Sequence, residues 1–245
     1  MDVLCFLGSN WGFRYDELRK YLRTSHEGPY DTNECNEPLN PHGRTGLGGS
    51  GLLGRWGPNH AADPVITKWR RDKDGNKMFD DKLDPILEFV AIKRNDTGDW
   101  AIPGGMVDPG EDVSMTLKRE FGEETMAAME LSPDERQALM ASLDSVFHTG
   151  DVIYRGYVDD IRNTDHAWME TTCVNYHDEE GNSLSKFKLT AGDDAGDVAW
   201  TPYHDGIKLY ATHATFIETI WKMRVALHFH LEGKASGGGH TTACE

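Results

Sequence analysis

The chain has 245 residues, of which 38% are hydrophobic, and 41 acidic residues stand against 25 basic ones. This length allows one large domain or two small ones with a sizeable core. A formal net charge of −16 argues against a general surface for nucleic acid or anionic membranes, because such a surface repels polyanions. An anionic ligand would therefore need cations at its own site.

The N-terminus lacks the basic and long apolar regions of a secretory signal, and acids at Asp2, Asp16 and Glu17 argue against a transit peptide. No stretch approaches the roughly 18 apolar residues of a membrane-spanning helix. The four cysteines are scattered without Cys-x-x-Cys spacing, which favours reduced thiols over disulfides or zinc ligands. We therefore expect a soluble intracellular protein, cytoplasmic or of the mitochondrial matrix and not secreted.

The composition divides the chain into three parts. Residues 25–64 are dense in Gly, Pro, Asn and His, which favour turns over helices. We predict a loop-rich N-terminal subdomain at 1–75 with little regular structure, and a main domain at 76–231. The glycine-rich segment 232–245 has the composition of a flexible tail.

In the main domain, apolar and β-branched runs alternate with helical patterns. Strand-like runs fall at residues 86–94, 99–102, 152–158, 167–176 and 198–201. Helical patterns fall at residues 112–124, 132–147 and 213–227. Ser132 and Glu135 have the spacing of a capping box, with Pro133 at the first helical position. Interleaving of this kind predicts an α/β fold in which helices pack against a sheet.

A pattern of fixed spacing covers the glycine turn and the helix that follows it. It consists of Gly, five residues, Glu, seven residues, Arg-Glu, an apolar residue, one free position and Glu-Glu. Its members are Gly105, Glu111, Arg119, Glu120, Phe121, Glu123 and Glu124.

On a helix, Glu120, Glu123 and Glu124 are related by i, i+3 and i+4, so their carboxylates share one face at Cβ separations of about 5 to 6 Å. Carboxylates this close repel one another unless a cation lies between them, and Mg²⁺ suits an acidic cluster that also holds phosphates. Arg119 lies four residues before Glu123, where it can pair with a carboxylate and orient it. Gly105 lets the backbone approach the metal, with its carbonyl free as a ligand. The alternative is a solvated acidic helix face, which the fixed offset of Gly105 disfavours.

The pattern resembles the Nudix box, and the resemblance to Nudix hydrolases extends over about residues 38–225. Within that family, the similar members are mitochondrial-type ADP-ribose pyrophosphatases and the C-terminal domain of melastatin-type, ADP-ribose-gated cation channels. The segments that carry this likeness are 43–47, 51–64, 100–111, 163–165 and 209–213. The resemblance implies a Nudix α/β/α sandwich with a mixed sheet, preceded by a smaller irregular N-terminal subdomain.

The same resemblance implies that the protein hydrolyses ADP-ribose to AMP and ribose 5-phosphate. The implied metal cofactor is Mg²⁺, with Mn²⁺ as an alternative. The implied metal ligands are Gly105, Glu120, Glu123 and Glu124, and Arg119 and Glu111 complete the catalytic set. The implied ADP-ribose contacts are Asp160, Arg162 and Tyr210, with Thr212 and Asn59 as further candidates.

Two of these predicted ligand contacts, Arg162 and Tyr210, also have a purely structural explanation. The guanidinium of Arg162 suits a phosphate or a ribose because it donates several hydrogen bonds, but a surface ion pair would also explain it. Tyr210 fits a core aromatic equally well. Two positions depart from the family pattern: Ile161 replaces a usual proline, and Met126 replaces a usual glycine, so the helix could continue to residue 128. Asp193 and Asp194 would form either a loop that returns to the metal or a plain turn.

Three functions stay open from the sequence. The first is a free Mg²⁺-dependent ADP-ribose hydrolase. The second is an ADP-ribose-sensing cytoplasmic domain attached to a channel subunit, with or without hydrolysis. The third is a Nudix enzyme for another nucleotide, such as an oxidised nucleoside triphosphate or a dinucleotide. Each has a small-molecule partner and no nucleic acid partner, and the intact box favours catalysis.

Overall fold

The structure is a computed structural model that describes residues 24–108, 111–126, 131–147, 149–182, 189–192 and 195–237. The strands are β1 (Gly57–Trp69), β2 (Leu87–Arg94), β3 (Trp100–Ala101), β4 (Gly105–Met106), β5 (Asp151–Val158), β6 (Ala167–Asp178) and β7 (Ala195–Pro202). The helices are α1 (Val113–Met126), α2 (Pro133–Val146) and α3 (His213–Gly237). In these ranges, no helix combines the length and apolar character needed to cross a membrane.

Seven strands form one mixed sheet in the order β3-β2-β1-β6-β5, with β4 paired to β1 and β7 paired to β2. The central strands β1 and β6 run parallel in continuous register from Gly57 opposite Ala167 to Lys68 opposite Asp178. The pairs β1–β2 and β5–β6 are antiparallel. The sheet is therefore built around β1 and β6.

Different helices cover the two faces of the sheet. Ile66 of β1 belongs to a buried cluster with Leu117 and Phe121 of α1, whereas Val65 belongs to a cluster with Ile217 of α3. Neighbouring residues of a strand point to opposite faces, so α1 lies on one side and α3 on the other. The predicted α/β/α sandwich with a mixed sheet is confirmed.

The local signals for the first two helices are also confirmed. Asp112 accepts a hydrogen bond from the backbone N–H of Met115 at the start of α1. At the start of α2, the side chain of Ser132 accepts from the N–H of Glu135, and the Glu135 carboxylate accepts from the N–H of Ser132. The helix α1 is described as far as Met126, and its predicted continuation to residue 128 lies outside the described residues.

The prediction of little regular structure before residue 75 is wrong for residues 57–69. This stretch forms β1, the longest strand, even though it contains glycine, two prolines and asparagine. Pairing along β6 supplies its hydrogen bonds and burial, and this tertiary context outweighs local propensity. The sheet thus includes residues on both sides of position 75.

Helix α3 extends to Gly237, ten residues beyond the predicted end at residue 227. It therefore includes the first part of the segment 232–245 that the composition assigns to a flexible tail. Residues 238–245 lie outside the described ranges.

The cysteines differ in state. Cys173 is a buried free thiol, and Cys35 is disulfide-bonded. The prediction of reduced cysteines is therefore wrong at Cys35, because spacing along the sequence does not reveal which sulfur atoms the fold brings together.

Candidate active site

One cavity of about 530 Å³ collects most of the predicted site residues. Its charged lining comprises six carboxyl groups and three guanidinium groups: Asp63, Asp96, Glu120, Glu123, Glu124, Asp160, Arg94, Arg119 and Arg162. Tyr210 and His213 also line it. Acids outnumber bases, so an anionic ligand would need additional cations in this cavity.

Arg119 connects several acidic residues of the Gly105–Glu124 segment. Its guanidinium lies 2.9 Å from Glu111 Oε1, 2.8 Å from Glu120 Oε1 and 3.0 Å from Glu123 Oε2. It also donates to the carbonyl of Met106 at 3.1 Å. The predicted pairing of Arg119 with Glu123 is confirmed, and the same nitrogen, Nη1, contacts both Glu120 and Glu123. Arg119 therefore fixes three carboxylates relative to one another and to β4.

Glu120 is the most buried of the three helix carboxylates, with 11% of its side chain exposed. Burial raises its pKa to about 7, and the charge of Glu123 adds to this effect, while Arg119 opposes it. The anion at this position is therefore short of positive charge. A cation that coordinates oxygen atoms would favour the ionised form.

The glycine turn lies directly against these carboxylates. The backbone N–H of Gly104 donates to Glu124 Oε2 at 2.8 Å. A Cβ atom on Gly105 would collide with the carboxylate of Glu120, and one on Gly104 would collide with that of Asp63. Because these two positions have no side chain, the backbone can pack directly against the carboxylates of Asp63 and Glu120.

We expect Gly105→Ala to reduce the free energy of unfolding by about 1 to 3 kcal/mol, because the new methyl group overlaps the buried Glu120 carboxylate. Denaturant titration measures this loss. The matched control is Gly48→Ala, because an added Cβ there meets no atom within 4 Å. Equal stability of the two variants would contradict the close packing of turn and helix.

The predicted ligand-binding residues Asp160, Arg162 and Tyr210 also line this cavity. Arg162 Nε and Nη2 donate to the two oxygens of Asp160 at 2.8 Å each, and the Arg162 N–H donates to Oδ1 at 2.9 Å. Ile161, which replaces the usual proline, is 93% exposed. It therefore does not disturb the hydrogen bonds between Arg162 and Asp160. Arg94 lies 4.4 Å from the ring centroid of Tyr210, which orients the ring by a cation–π contact. Both predicted side chains, Arg162 and Tyr210, thus border the cavity.

The sequence alone does not predict several of the lining residues, among them Asp63, Arg94 and His213. Asp63 lies on β1 and accepts a hydrogen bond from Thr171 Oγ1 at 2.6 Å, and burial raises its pKa to about 6. His213 Nδ1 accepts from the N–H of Ile102 at 3.1 Å, and burial lowers its pKa to about 4. The ring is therefore neutral at pH 7 and carries its proton on Nε2. Asp63 and His213 lie in segments that carry the family likeness, but no spacing rule links them to the box.

The raised pKa of Asp63 gives a pH dependence with a defined sign. Asp63 loses its proton near pH 3.8 in the unfolded chain and near pH 6 in the folded one, so the folded state binds more protons between these values. Stability must then fall as the pH rises through this window, by roughly 3 kcal/mol for this group. We expect Asp63→Asn to remove that part of the slope in urea titrations in EDTA. Parallel curves for the variant and the parent chain would contradict it.

Three predicted residues lie away from the cavity lining. The amide of Asn59 donates to the carbonyls of Arg55 and Gly57 at 2.8 and 3.0 Å and accepts from the N–H of Arg55 at 3.1 Å. Thr212 lies before α3, and its carbonyl accepts from the N–H of Phe216 at 3.4 Å. Glu111 accepts hydrogen bonds from Arg119. Asp193 and Asp194 lie outside the described residues.

Comparison with known proteins agrees with this geometry. A family model described as "NUDIX domain" matches residues 78–220. The chain belongs to the Nudix family. A second model, described as "NUDT9-like, N-terminal domain", matches residues 8–57 and so ends where β1 begins. Nudix hydrolases generally use divalent metal ions, and the acidic excess of the cavity fits that requirement.

Three relatives illustrate the range of this similarity. The mitochondrial ADP-ribose pyrophosphatase of Rattus norvegicus is 53% identical, over 89% of this chain and 63% of that protein. Putative nudix hydrolase 6 of Caenorhabditis elegans is 50% identical, over 75% of this chain and 62% of that protein. Transient receptor potential cation channel subfamily M member-like 2 of Nematostella vectensis is 50% identical, over 83% of this chain and 13% of that protein. The Nudix chain thus spans under two thirds of the length of each of these relatives.

Proposed function

We propose that the chain hydrolyses the pyrophosphate bond of ADP-ribose, giving AMP and ribose 5-phosphate, with Mg²⁺ as the metal ion and Mn²⁺ as an alternative. The observation that carries this proposal is that one cavity is lined both by the carboxylates of Glu120, Glu123 and Glu124 and by the predicted ligand contacts Arg162 and Tyr210. The 53% identity to a mitochondrial ADP-ribose pyrophosphatase supports the choice of substrate.

The predicted metal ligands on and beside α1 fit a hard divalent cation. The predicted side-chain ligands in the box are all carboxylates, which suit such an ion, and the backbone of Gly105 packs against the carboxylate of Glu120. Glu120, Glu123, Glu124 and Gly105 would hold the ion, which would neutralise charge on the diphosphate and activate water.

The protein's own groups do the positioning. Arg119 holds Glu120 and Glu123 at fixed separation, and Glu111 in turn holds Arg119 through contacts of 2.9 and 3.0 Å. Arg162, oriented by Asp160, would donate to a phosphate or ribose oxygen. Orientation of this kind contributes to phosphoryl-transfer rates because little covalent chemistry is left to the protein.

A second function is favoured by the channel relative. A module attached to a cation channel would bind ADP-ribose in the same cavity, and its hydrolysis would be incidental. Transcripts that encode membrane-spanning segments in front of residue 1 would support this reading.

The test is incubation of the purified chain with ADP-ribose and Mg²⁺, followed by chromatography of the products. We expect AMP and ribose 5-phosphate, and neither of them in EDTA. An oxidised nucleoside triphosphate and a dinucleotide serve as competing substrates. Faster turnover of either would overturn the choice of ADP-ribose, and saturable ADP-ribose binding without products would favour the sensing module.

A further inference from the structure

A second group of metal-ligating side chains lies away from the catalytic cavity. His60 on β1 and Glu170 on β6 are direct partners in the parallel register. His26, from the segment before β1, stacks its ring on that of His60 with centroids 4.5 Å apart. One ligand atom from each of the three residues lies within 4.8 Å of the other two. None of them lines the cavity described above.

We propose that His26, His60 and Glu170 form a zinc site that fastens the N-terminal segment to the sheet. Two imidazole nitrogens and one carboxylate oxygen are a ligand set that Zn²⁺ accepts, with a fourth position open to water. Ligand atoms of a tetrahedral zinc site lie about 3 to 4 Å apart. To close around an ion, the stacked rings of His26 and His60 would have to rotate so that one nitrogen of each points to it.

An independent observation points to a missing ligand. His60 is 7% exposed, and its buried Nε2 has no hydrogen-bond partner among the described residues. The nearest carboxylate oxygen, Glu170 Oε2, lies 3.6 Å from it, beyond hydrogen-bond distance. Buried polar atoms are rarely left unpaired in folded proteins, because each costs about 1 to 3 kcal/mol. A metal ion would supply the partner that His60 lacks.

The carboxylate of Glu170 is already oriented for such a role. Ser25 Oγ and Trp168 Nε1 donate to Oε1 at 2.7 and 2.8 Å, and the backbone N–H of His26 donates to Oε2 at 2.6 Å. Three donors leave one lone-pair direction of Oε2 on the side of His60. Outer contacts of this kind fix ligand geometry in metal sites.

The ligand types separate this site from the catalytic one. Imidazole nitrogens suit zinc, whereas the catalytic carboxylates suit Mg²⁺. The chain neighbours Ala61, Met169 and Thr171 line the catalytic cavity, whereas His60 and Glu170 do not. The zinc site can therefore be present or absent whatever the substrate of the cavity proves to be.

The test uses the full chain, stripped of metal with EDTA and then held in excess Mg²⁺ to occupy the acidic helix. Zn²⁺ alone is titrated into the parent chain, His26→Gln, His60→Gln and the matched control His204→Gln, whose histidine is exposed and outside the cluster. We expect one tight site in the parent chain and in the control. Loss of either ligand should weaken it at least about 10-fold, the smallest effect typical of outer-shell changes. Circular dichroism checks that each variant is folded.

Zinc-soaked crystals give a second readout that does not depend on any variant. An anomalous peak between His26, His60 and Glu170 would support the proposal. Equal zinc affinity in the parent chain and in folded His26→Gln would overturn it, as would crystals without that peak. In that case His60 and Glu170 are only packed against each other within the sheet.

Discussion

Combining Glu120→Gln with Glu124→Gln should abolish Mg²⁺-dependent release of AMP, with kcat/KM falling at least about 10³-fold. Both side chains line the cavity, and a metal ion that stabilises developing charge contributes several kcal/mol to the barrier. The fold should survive, because glutamine resembles the protonated acid that burial already favours at Glu120. AMP is measured by chromatography across a Mg²⁺ titration.

The matched control for this double variant is Glu218→Gln, an exposed glutamate on α3 that pairs with Lys222 at 2.6 Å. Its activity should equal that of the parent chain. Retained turnover in a folded double variant would remove the metal assignment from α1, whatever substrate the cavity accepts.

Arg162→Ala should raise the KM for ADP-ribose by about 10- to 100-fold, because a charge-assisted hydrogen bond contributes roughly 1.5 to 3 kcal/mol. The Mg²⁺ concentration that gives half-maximal activity should stay unchanged, since Arg162 pairs with Asp160 and lies outside the predicted metal ligands. Steady-state kinetics at several Mg²⁺ concentrations separates the two effects.

Arg70→Ala provides the control, because Arg70 pairs with Glu88 at 3.6 Å away from the cavity lining. Arg162→Lys keeps a positive charge beside Asp160 but loses the planar fork, so it should fall between the parent chain and the alanine variant. If Arg162→Ala left KM and kcat unchanged, Arg162 would be a structural ion pair with Asp160 only.

Local signals predicted most of the fold. Apolar spacing and the Ser132 capping box located α1 and α2, because short-range contacts determine where these helices begin. The same reasoning missed β1, since Asn59, His60 and Asp63 are polar residues that are nonetheless buried. All three pair in register with residues of β6, more than 100 positions along the chain, and Asp63 also accepts a hydrogen bond from Thr171. No window of neighbouring residues contains that information.

The candidate site divides in the same way. Arg119, Glu120 and Glu123 share one helix, so the sequence spacing alone predicts that they lie together. Arg94 and His213 reach the cavity from β2 and α3, and only the assembled sheet brings them to it. The family resemblance implies a ligand contact for Asn59, but its side-chain amide donates hydrogen bonds to the carbonyls of Arg55 and Gly57.

The uninterrupted pairing of β1 with β6 also sets which changes of length the chain tolerates. Moving β1 by one position would exchange its two faces. Asp63 would then turn away from the cavity that it lines. A single inserted or deleted residue between Gly57 and Trp69 would therefore disturb both faces at once. Insertions between residues 41 and 50, outside any strand or helix, would leave this register intact but would disturb the hydrogen bonds that join Thr45, Gly46 and Leu47 to Asp165.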